Sequence, residues 1–127
     1  MHDWKGEIAM IKKKYKGRCE KRMLEKVEGV CKTFNPIQYA CANYLVACED
    51  IVSIRCNVPM DGLDYTSDFV CTKKDGDLCV RECVSRKYLA KPLTTRLLDV
   101  SRNYWLRRGV VDWGIVIEKE SRENARN

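Results

Sequence analysis

Apolar residues recur every three or four positions through the first half of the chain, and this period predicts amphipathic helices. One apolar stripe runs through residues 4–31, and a second helix is expected over residues 36–55. Asn35 suits the N-cap of the second helix, and Pro36 suits its first turn. Because the link between the two stripes is short, we expect the helices to form an antiparallel hairpin.

The second half of the chain carries a more mixed signal. Residues 57–67 contain a proline and an Asp-Gly pair, which predict a loop. Residues 69–80 fit a short β-hairpin that turns at a second Asp-Gly pair. The same region fits a helix that Asp77 caps and that reaches Tyr88, and we prefer the helix because its cysteines follow helical spacing.

The end of the chain predicts one more long helix, which Pro92 opens and Gly109 ends. Residues 110–120 fit either a short strand or a last helix. Together these patterns predict a mainly α fold, a small bundle of four to five helices. We expect a single domain over residues 1–120, followed by a frayed C-terminal tail.

The cysteines of the chain predict the redox compartment in which this bundle folds. The chain has 127 residues, of which 33% are charged, and it contains eight cysteines. An even cysteine count in a small, charged chain favours four disulfides and an oxidising compartment. We therefore expect a secreted protein whose signal peptide has been removed. All eight cysteines are expected to staple the helices: Cys19, Cys31, Cys41, Cys48, Cys56, Cys71, Cys79 and Cys83.

Helix geometry suggests how some of these cysteines pair. In an antiparallel hairpin that turns near residue 35, Cys31 faces Cys41 and Cys19 faces Cys48. The other four cysteines would tie the following loop and the third helix to the end of the second helix. This assignment is one of many connectivities that eight cysteines allow.

Metal binding and catalysis have little support in the sequence. Cys71, Cys79 and Cys83, with one further cysteine, form the best zinc ligand set, but the sequence has no Cys-x2-Cys motif and its one histidine is His2. Motifs for activated nucleophiles, phosphate-binding loops and metalloproteases are also missing from it. We therefore expect no metal, no cofactor and no enzymatic activity.

Positive charge is concentrated in one segment. The net charge is +6, and residues 12–22 contain seven basic residues and one glutamate. Such a run is more often a solvated helix face than a binding site. As a binding surface it would meet nucleic-acid phosphates, an acidic protein, an anionic glycan or a membrane surface. Its main basic residues are Lys12, Lys13, Lys14, Lys16, Arg18 and Arg22.

A second candidate surface combines tryptophan and arginine. Trp105 falls off the apolar stripe of the last long helix, close to Arg107 and Arg108, and Trp113 follows. Tryptophan and arginine are enriched at the energetic centres of protein interfaces. The alternative is that both tryptophans close the bottom of a small core.

Two cysteine–tyrosine–cysteine groupings resemble a known family. They are "CANYLVAC" and "CNVPMDGLDYTSDFVC", in which Tyr44 and Tyr65 lie between cysteines. Paired motifs of this kind resemble those of the aphid salivary "bicycle" proteins, secreted effectors that are delivered into plant tissue and linked to gall formation. The resemblance implies a secreted, non-enzymatic effector that acts on host proteins, with the cysteines as its scaffold.

Two functions remain open at this point. The first is a secreted protein that binds a host or receptor protein, as an effector-like or cytokine-like ligand does. The second is an intracellular cysteine-rich nucleic-acid-binding protein, such as a viral one, with reduced or zinc-bound thiols. The redox state of the cysteines separates the two. Neither requires a membrane span, and no apolar run approaches the length of one.

Overall fold

The computed structural model describes residues 19–119 and has an α/β fold, with 32% helix and 35% strand. The prediction of a mainly α bundle of four to five helices is therefore wrong. The described elements, in chain order, are β1 (Glu20–Arg22), β2 (Cys31–Thr33), α1 (Pro36–Ala47), β3 (Ile51–Pro59), β4 (Thr66–Lys73), β5 (Leu78–Cys83), α2 (Arg86–Leu89), α3 (Pro92–Arg107) and β6 (Asp112–Val116).

The strands form two sheets. β1 and β2 make a two-stranded antiparallel sheet, which reaches the main sheet where Val27 bridges Ile54 of β3. The main sheet has the order β3-β4-β5-β6. Its first three strands are antiparallel neighbours, whereas β6 lies parallel to β5. Parallel neighbours need a crossover of about a dozen residues or more, which α2 and α3 provide here.

Helices cover both faces of the main sheet. Successive residues of a strand point to opposite faces. In β4, Phe69 and Cys71 belong to a core cluster with Leu45 of α1, whereas Val70 belongs to a second cluster with Leu97 of α3. The domain is therefore layered as α1, main sheet and α3, with one core on each face of the sheet.

The predicted first helix is wrong wherever the structure describes it. Residues 19–31 form β1, a turn and the start of β2. Lys26 and Gly29 have φ angles of 68° and 77°, and a right-handed helix cannot include that conformation. A strand, not a helix, therefore precedes α1, and the predicted helical hairpin is also wrong. Residues 4–18 of the predicted helix lie outside the described residues.

The second helix is confirmed in its first part. α1 begins at Pro36, and the Gln38 N–H donates to the Asn35 side chain over 2.9 Å, as the N-cap prediction requires. The helix ends at Ala47, well before the predicted end.

The remainder of that predicted helix is the start of β3, and a bulge explains the error. A register shift lies between Ile51 and Ser53 in the pairing of β3 with β4. With this bulge, Ile51 and Ile54 are both buried although they are three residues apart. A bulged strand therefore imitates the spacing of a helix here. β3 then continues to Pro59, which shortens the predicted loop.

For residues 69–80, the β-hairpin is confirmed and the preferred helix is wrong. β4 and β5 turn through Gly76, whose φ is +90° and whose N–H donates to the Lys73 carbonyl over 2.9 Å. Cys79 and Cys83 are four residues apart, which is close to one helical turn. Because four is also an even number, the same spacing places both on one face of a strand.

The last long helix and the strand alternative after it are both confirmed. α3 starts at Pro92 and ends at Arg107, before Gly109, and β6 follows within residues 110–120. Residues 121–127 lie outside the described residues. Among the helices that the structure describes, none combines the length and apolar character needed to cross a bilayer.

Candidate functional site

Six cysteines lie in three close pairs on the α1 side of the main sheet. In the first pair, the Sγ atom of Cys56 in β3 lies 3.2 Å from that of Cys31 in β2. The Cys56 thiol donates a hydrogen bond to Cys31, which lowers the pKa of Cys31 to about 7 and raises the pKa of Cys56 above its usual range. This contact joins the two-stranded sheet to the main sheet.

The second pair connects neighbouring strands. Cys71 of β4 lies directly opposite Cys79 of β5 in the antiparallel ladder, and both are buried. The Cys71 thiol donates to Cys79, which lowers the pKa of Cys79 to about 7 and raises the pKa of Cys71. Directly opposed residues of antiparallel strands have a Cα separation that a disulfide can span.

The third pair joins α1 to the main sheet. Cys41 of α1 and Cys83 of β5 are both buried. A hydrogen bond between their thiols raises the pKa of Cys83, and burial adds to this effect. The predicted pairing of Cys31 with Cys41 is therefore wrong, because each faces a different partner.

The two remaining cysteines are Cys19 and Cys48, which are both half-buried. Their pairing with each other stays a prediction. All eight cysteines are thiols in the structure. Across residues 19–119, no three side chains of His, Cys, Asp or Glu are grouped so that they could hold a metal ion. The three cysteines of the predicted zinc set are among these residues.

On the α3 face of the main sheet, the buried polar group is a glutamate and not a set of cysteines. Glu82 of β5 is 1% exposed. Its carboxyl group accepts hydrogen bonds from the hydroxyls of Ser67 and Ser101 and, over 2.9 Å, from the Asp68 backbone N–H. Burial raises the pKa of Glu82 to about 8, and the negative charge of Asp68 adds to the rise. Glu82 is therefore mostly protonated at neutral pH.

Two tryptophans support this glutamate through the serines. The indole of Trp105 donates to Ser67 Oγ over 2.8 Å, and that of Trp113 donates to Ser101 Oγ over 3.0 Å. Trp105 is 6% exposed, so its predicted place on a contact surface is wrong and the core alternative is right. Trp113 is half-buried and belongs to the same network.

Asp68 connects the two faces of the sheet. Its Oδ1 accepts from the Gln38 side chain of α1 over 2.9 Å, and its Oδ2 accepts from the Cys83 backbone N–H over 2.7 Å. The paired register of β4 and β5 extends only to Phe69 and Arg81. Beyond that point, side-chain carboxylates serve as acceptors for backbone N–H groups, and this is how Asp68 and Glu82 come to lie buried side by side.

A pocket of about 460 Å³ opens next to these two carboxylates. It lies between the start of α1, the end of β5, α2 and α3, and its volume is typical of small-molecule sites. The nearly fully buried Asp68 and Glu82 form its floor, whereas the exposed Lys87 and Lys91 lie at its mouth. The main apolar residues of its walls are Phe34, Ile37, Tyr65, Leu93, Leu97 and Leu98.

Of the predicted basic surface, the structure describes Arg22 but not Lys12, Lys13, Lys14, Lys16 or Arg18. The Arg22 guanidinium lies 3.5 Å from the centroid of the Tyr39 ring and donates to Asn43 Oδ1 over 2.6 Å. These contacts place β1 against the outer side of α1. Met23, which follows Arg22 in the chain, and Tyr44, which follows Asn43, are 74% and 71% exposed.

We call the group formed by Arg22, Met23, Tyr39 and Tyr44 the contact patch. Methionine, tyrosine and arginine are enriched at protein interfaces relative to the rest of the surface. The contact patch was not predicted from the sequence, because Tyr44 follows helical spacing with Cys41 and Cys48, a pattern that predicts a place on the buried face of the helix.

The predicted arginines at the end of α3 are exposed. The Arg108 guanidinium stacks 3.6 Å from the centroid of the Tyr104 ring and donates to the Tyr104 carbonyl. Arg107 is also exposed. The two arginines are therefore exposed to solvent, whereas Trp105 is buried between α3 and the main sheet.

Sequence reasoning missed Asp68, Glu82 and the two serines that bind Glu82. A signal was present, since Asp68 precedes the apolar run of β4 and Glu82 lies between valine and cysteine residues of β5. A carboxylate within a buried strand needs hydrogen-bonding partners, and this requirement identifies it as part of a polar network.

No protein-family model matches the chain, and no curated protein matches it significantly.

Proposed function

We propose that this is a secreted, non-enzymatic protein that binds a host or receptor protein, with its fold held by four disulfides. The observation that carries the proposal is the arrangement of six cysteines in three close pairs. In an oxidising compartment, each pair would lose two protons and two electrons to a disulfide-bearing oxidoreductase or to oxidised glutathione, and an S–S bond would form.

Two of the pairs contain a thiol of lowered pKa. The pKa of Cys31 and that of Cys79 are each lowered to about 7 by a hydrogen bond from the partner thiol. Both thiols are buried, so a disulfide-bearing enzyme would reach them before the domain has folded fully. The close pairing in the fold would then favour these bonds over other pairings.

The contact patch supports a protein partner. Met23 and Tyr44 expose large apolar surfaces next to Arg22, whose guanidinium is already positioned by Tyr39 and Asn43. Apolar side chains beside a fixed arginine are typical of interface centres. A secreted effector, to which the cysteine–tyrosine–cysteine groupings point, would use such a patch to bind a protein of its host.

A binding experiment with paired variants tests the proposal. The oxidised protein is immobilised and exposed to extracellular proteins of the candidate host. We expect one or more of them to bind, and we expect Met23→Glu combined with Tyr44→Arg to abolish this binding. Val111→Lys, at another exposed apolar position, is the matched control and should bind normally.

The contrary result is retention of nucleic acid by the reduced protein. If that retention is lost on combining Lys12→Glu, Lys13→Glu and Lys14→Glu, the protein is an intracellular nucleic-acid-binding protein instead. Equal binding of host protein by the wild type and the contact-patch variant would also count against the proposal.

A further inference from the structure

The two edges of the main sheet differ in what covers them. At the β3 edge, the Ile54 N–H donates to the Lys26 carbonyl over 2.8 Å, and Val27 forms a bridge with Ile54. β3 also ends at Pro59, which has no N–H to offer to another strand. β6 forms the opposite edge, and among residues 19–119 no strand lies beyond it. The β6 edge is therefore open, whereas the β3 edge is covered at its middle.

The backbone groups of β6 alternate in direction. The Val84 N–H donates to the Val116 carbonyl over 2.9 Å, which means that the even-numbered residues of β6 bond to β5. The N–H and the carbonyl of Ile115 therefore point away from the sheet. The Trp113 carbonyl and the N–H of Ile117, the residue after β6, point the same way. This edge thus presents both donors and acceptors to a further strand.

We propose that β6 pairs in antiparallel register with β6 of a second copy of this chain. Ile115 of the two copies would lie opposite each other on a twofold axis, and each would donate its N–H to the other's carbonyl. The Ile117 N–H of each copy would donate to the Trp113 carbonyl of the other. The Trp113 N–H is not needed, because it donates to the Val111 carbonyl over 3.0 Å. The free donors of this edge therefore match its free acceptors.

Side chains on the α3 face fit the same register. Trp113, Ile115 and Ile117 alternate along the edge, so they lie on one face. Ile115 is 43% exposed, and the other two are half-buried. In the dimer, Ile115 would pack against its counterpart and Trp113 against Ile117. Aromatic and β-branched residues that face each other in this way stabilise antiparallel strands.

Charged residues at the ends of the edge do not oppose this pairing. On the α1 face, Asp112 would lie opposite Glu118 of the second copy. The Asp112 carboxylate already lies 2.8 Å from Arg81 and 3.0 Å from Lys73, and the Glu118 carboxylate already accepts from the Arg86 backbone N–H. β6 itself contains no lysine, proline or bulge, the devices that commonly protect an exposed edge strand.

This dimer goes beyond the proposed function and does not rest on it, because β6 contributes neither to the contact patch nor to the cysteine pairs. Sedimentation equilibrium of the full-length protein tests for it. We expect the native mass of two chains, which falls to that of one chain on dilution. Under denaturing, non-reducing conditions we expect one chain, since the contact is not covalent. A single chain at every concentration up to about 1 mM, or a dimer held by a disulfide, would overturn the proposal.

Substitutions on the twofold axis test the register. Ile115→Lys and Ile115→Glu each place two like charges opposite each other, which should weaken self-association at least about tenfold. An equimolar mixture of the two variants places opposite charges there and should associate again. Val52→Lys, at a 49% exposed position of β3, is the matched control and should dimerise like the wild type. Undiminished association of both Ile115 variants, or no recovery in their mixture, would contradict this pairing.

Amide hydrogen exchange of the wild type gives a readout that needs no substitution. The N–H groups of Ile115 and Ile117 should be protected in the dimer and should lose that protection on dilution. The N–H of Val116 faces β5 and should stay protected at both concentrations. If exchange at Ile115 and Ile117 does not change with concentration while the protein dimerises, the interface lies elsewhere and the proposal is wrong.

Discussion

The core on the α1 face of the main sheet contains sulfur, whereas the core on the α3 face contains a carboxylate. On the α1 face, buried cysteines of α1, β4 and β5 pack among Leu45, Ile54 and Phe69. On the α3 face, Glu82 lies among apolar residues and is satisfied by two serines, which two tryptophans support in turn. The same two strands, β4 and β5, contribute residues to both cores.

Because their buried groups differ, the two faces should respond to different conditions. Thiol pairs respond to redox potential, because oxidation converts a contact into a covalent bond. A buried carboxyl group responds to pH, because its ionisation in a region of low dielectric constant is costly. We therefore expect reductant to weaken the α1 face and rising pH to weaken the α3 face.

The largest expected effect is the loss of the proposed disulfide between Cys41 of α1 and Cys83 of β5. Combining Cys41→Ala with Cys83→Ala opens a loop that spans residues 41–83, and the chain-entropy model assigns about 4 kcal/mol of stability to such a closure. The matched control combines Cys71→Ala with Cys79→Ala and opens a much shorter loop, for which the model gives about 3 kcal/mol. Urea unfolding of the oxidised proteins measures both losses.

The order of these two losses is the informative result. A greater loss for the short loop, or the same losses with and without reductant, would contradict covalent closure on the α1 face.

Glu82 should give the α3 face a pH dependence. Its folded pKa of about 8 lies above the ordinary value of 4.5, so between these values the folded state holds a proton that the unfolded state has released. The free energy of unfolding then falls as pH rises, by about 1.4 kcal/mol per unit within that window. From about pH 6 to about pH 8 the wild type should lose about 2 kcal/mol, because the slope flattens as the folded state itself releases the proton near its pKa.

Glu82→Gln cannot titrate and should flatten this profile, while Glu28→Gln, at an exposed position, should retain it. Urea unfolding across the window supplies the measurement. Parallel profiles for wild type and Glu82→Gln would show that Glu82 does not carry the pH dependence.

Removing one indole should have a smaller effect. Trp113→Phe keeps most of the apolar surface but deprives Ser101 of its donor, and we expect a loss of about 1 kcal/mol. Because the hydrogen bond belongs to the α3 face, the loss should be the same in oxidised and reduced protein. Thermal unfolding in both states checks this, and a loss confined to the oxidised protein would mean that the two faces are coupled.

The smallest effect is expected at the surface of the main sheet. Asp112 lies 2.8 Å from Arg81 and 3.0 Å from Lys73. Burial would raise the pKa of Asp112, but hydrogen bonds from Arg81 and Lys73 lower it below the ordinary value of 3.8. Its contribution is therefore present above that value and is lost as pH falls through the lowered pKa.

Because these groups are partly exposed, Asp112→Asn should cost less than about 1 kcal/mol at neutral pH. The cost should vanish in acid. Urea unfolding at both pH values measures it, and a cost that persists in acid would exclude the ion pairs as its cause.

Local signals in the sequence predicted where two helices start, but they did not predict most of the strands. Asn35, Pro36 and Pro92 mark helix starts through their own backbone chemistry, and the structure has helices at both places. The spacing of apolar residues and cysteines predicted helices in place of strands at two points. At one, a bulge brings Ile51 and Ile54 to the same side of β3. At the other, a spacing of four residues suits both a helix and a strand. The α/β fold was therefore missed because its strands do not alternate simply.

The candidate sites depended still more on tertiary structure. The cysteines were identified as the scaffold, but their partners follow from strand pairing, which sets Cys71 opposite Cys79. The pocket could not be predicted, because Asp68 and Glu82 become neighbours only where the β4–β5 ladder ends. Trp105 was misplaced because its indole N–H has a buried serine partner that the sequence does not reveal.

The most direct test of the account is the intact mass of the denatured protein, isolated from its natural source, with and without reductant. With eight cysteines in four disulfides, the mass should rise by about 8 Da on reduction. Peptide mapping should then recover three bonds that the structure anticipates and one that the sequence predicts. These are Cys31–Cys56, Cys41–Cys83, Cys71–Cys79 and Cys19–Cys48. Eight free thiols, or a bond between Cys31 and Cys41, would contradict the account.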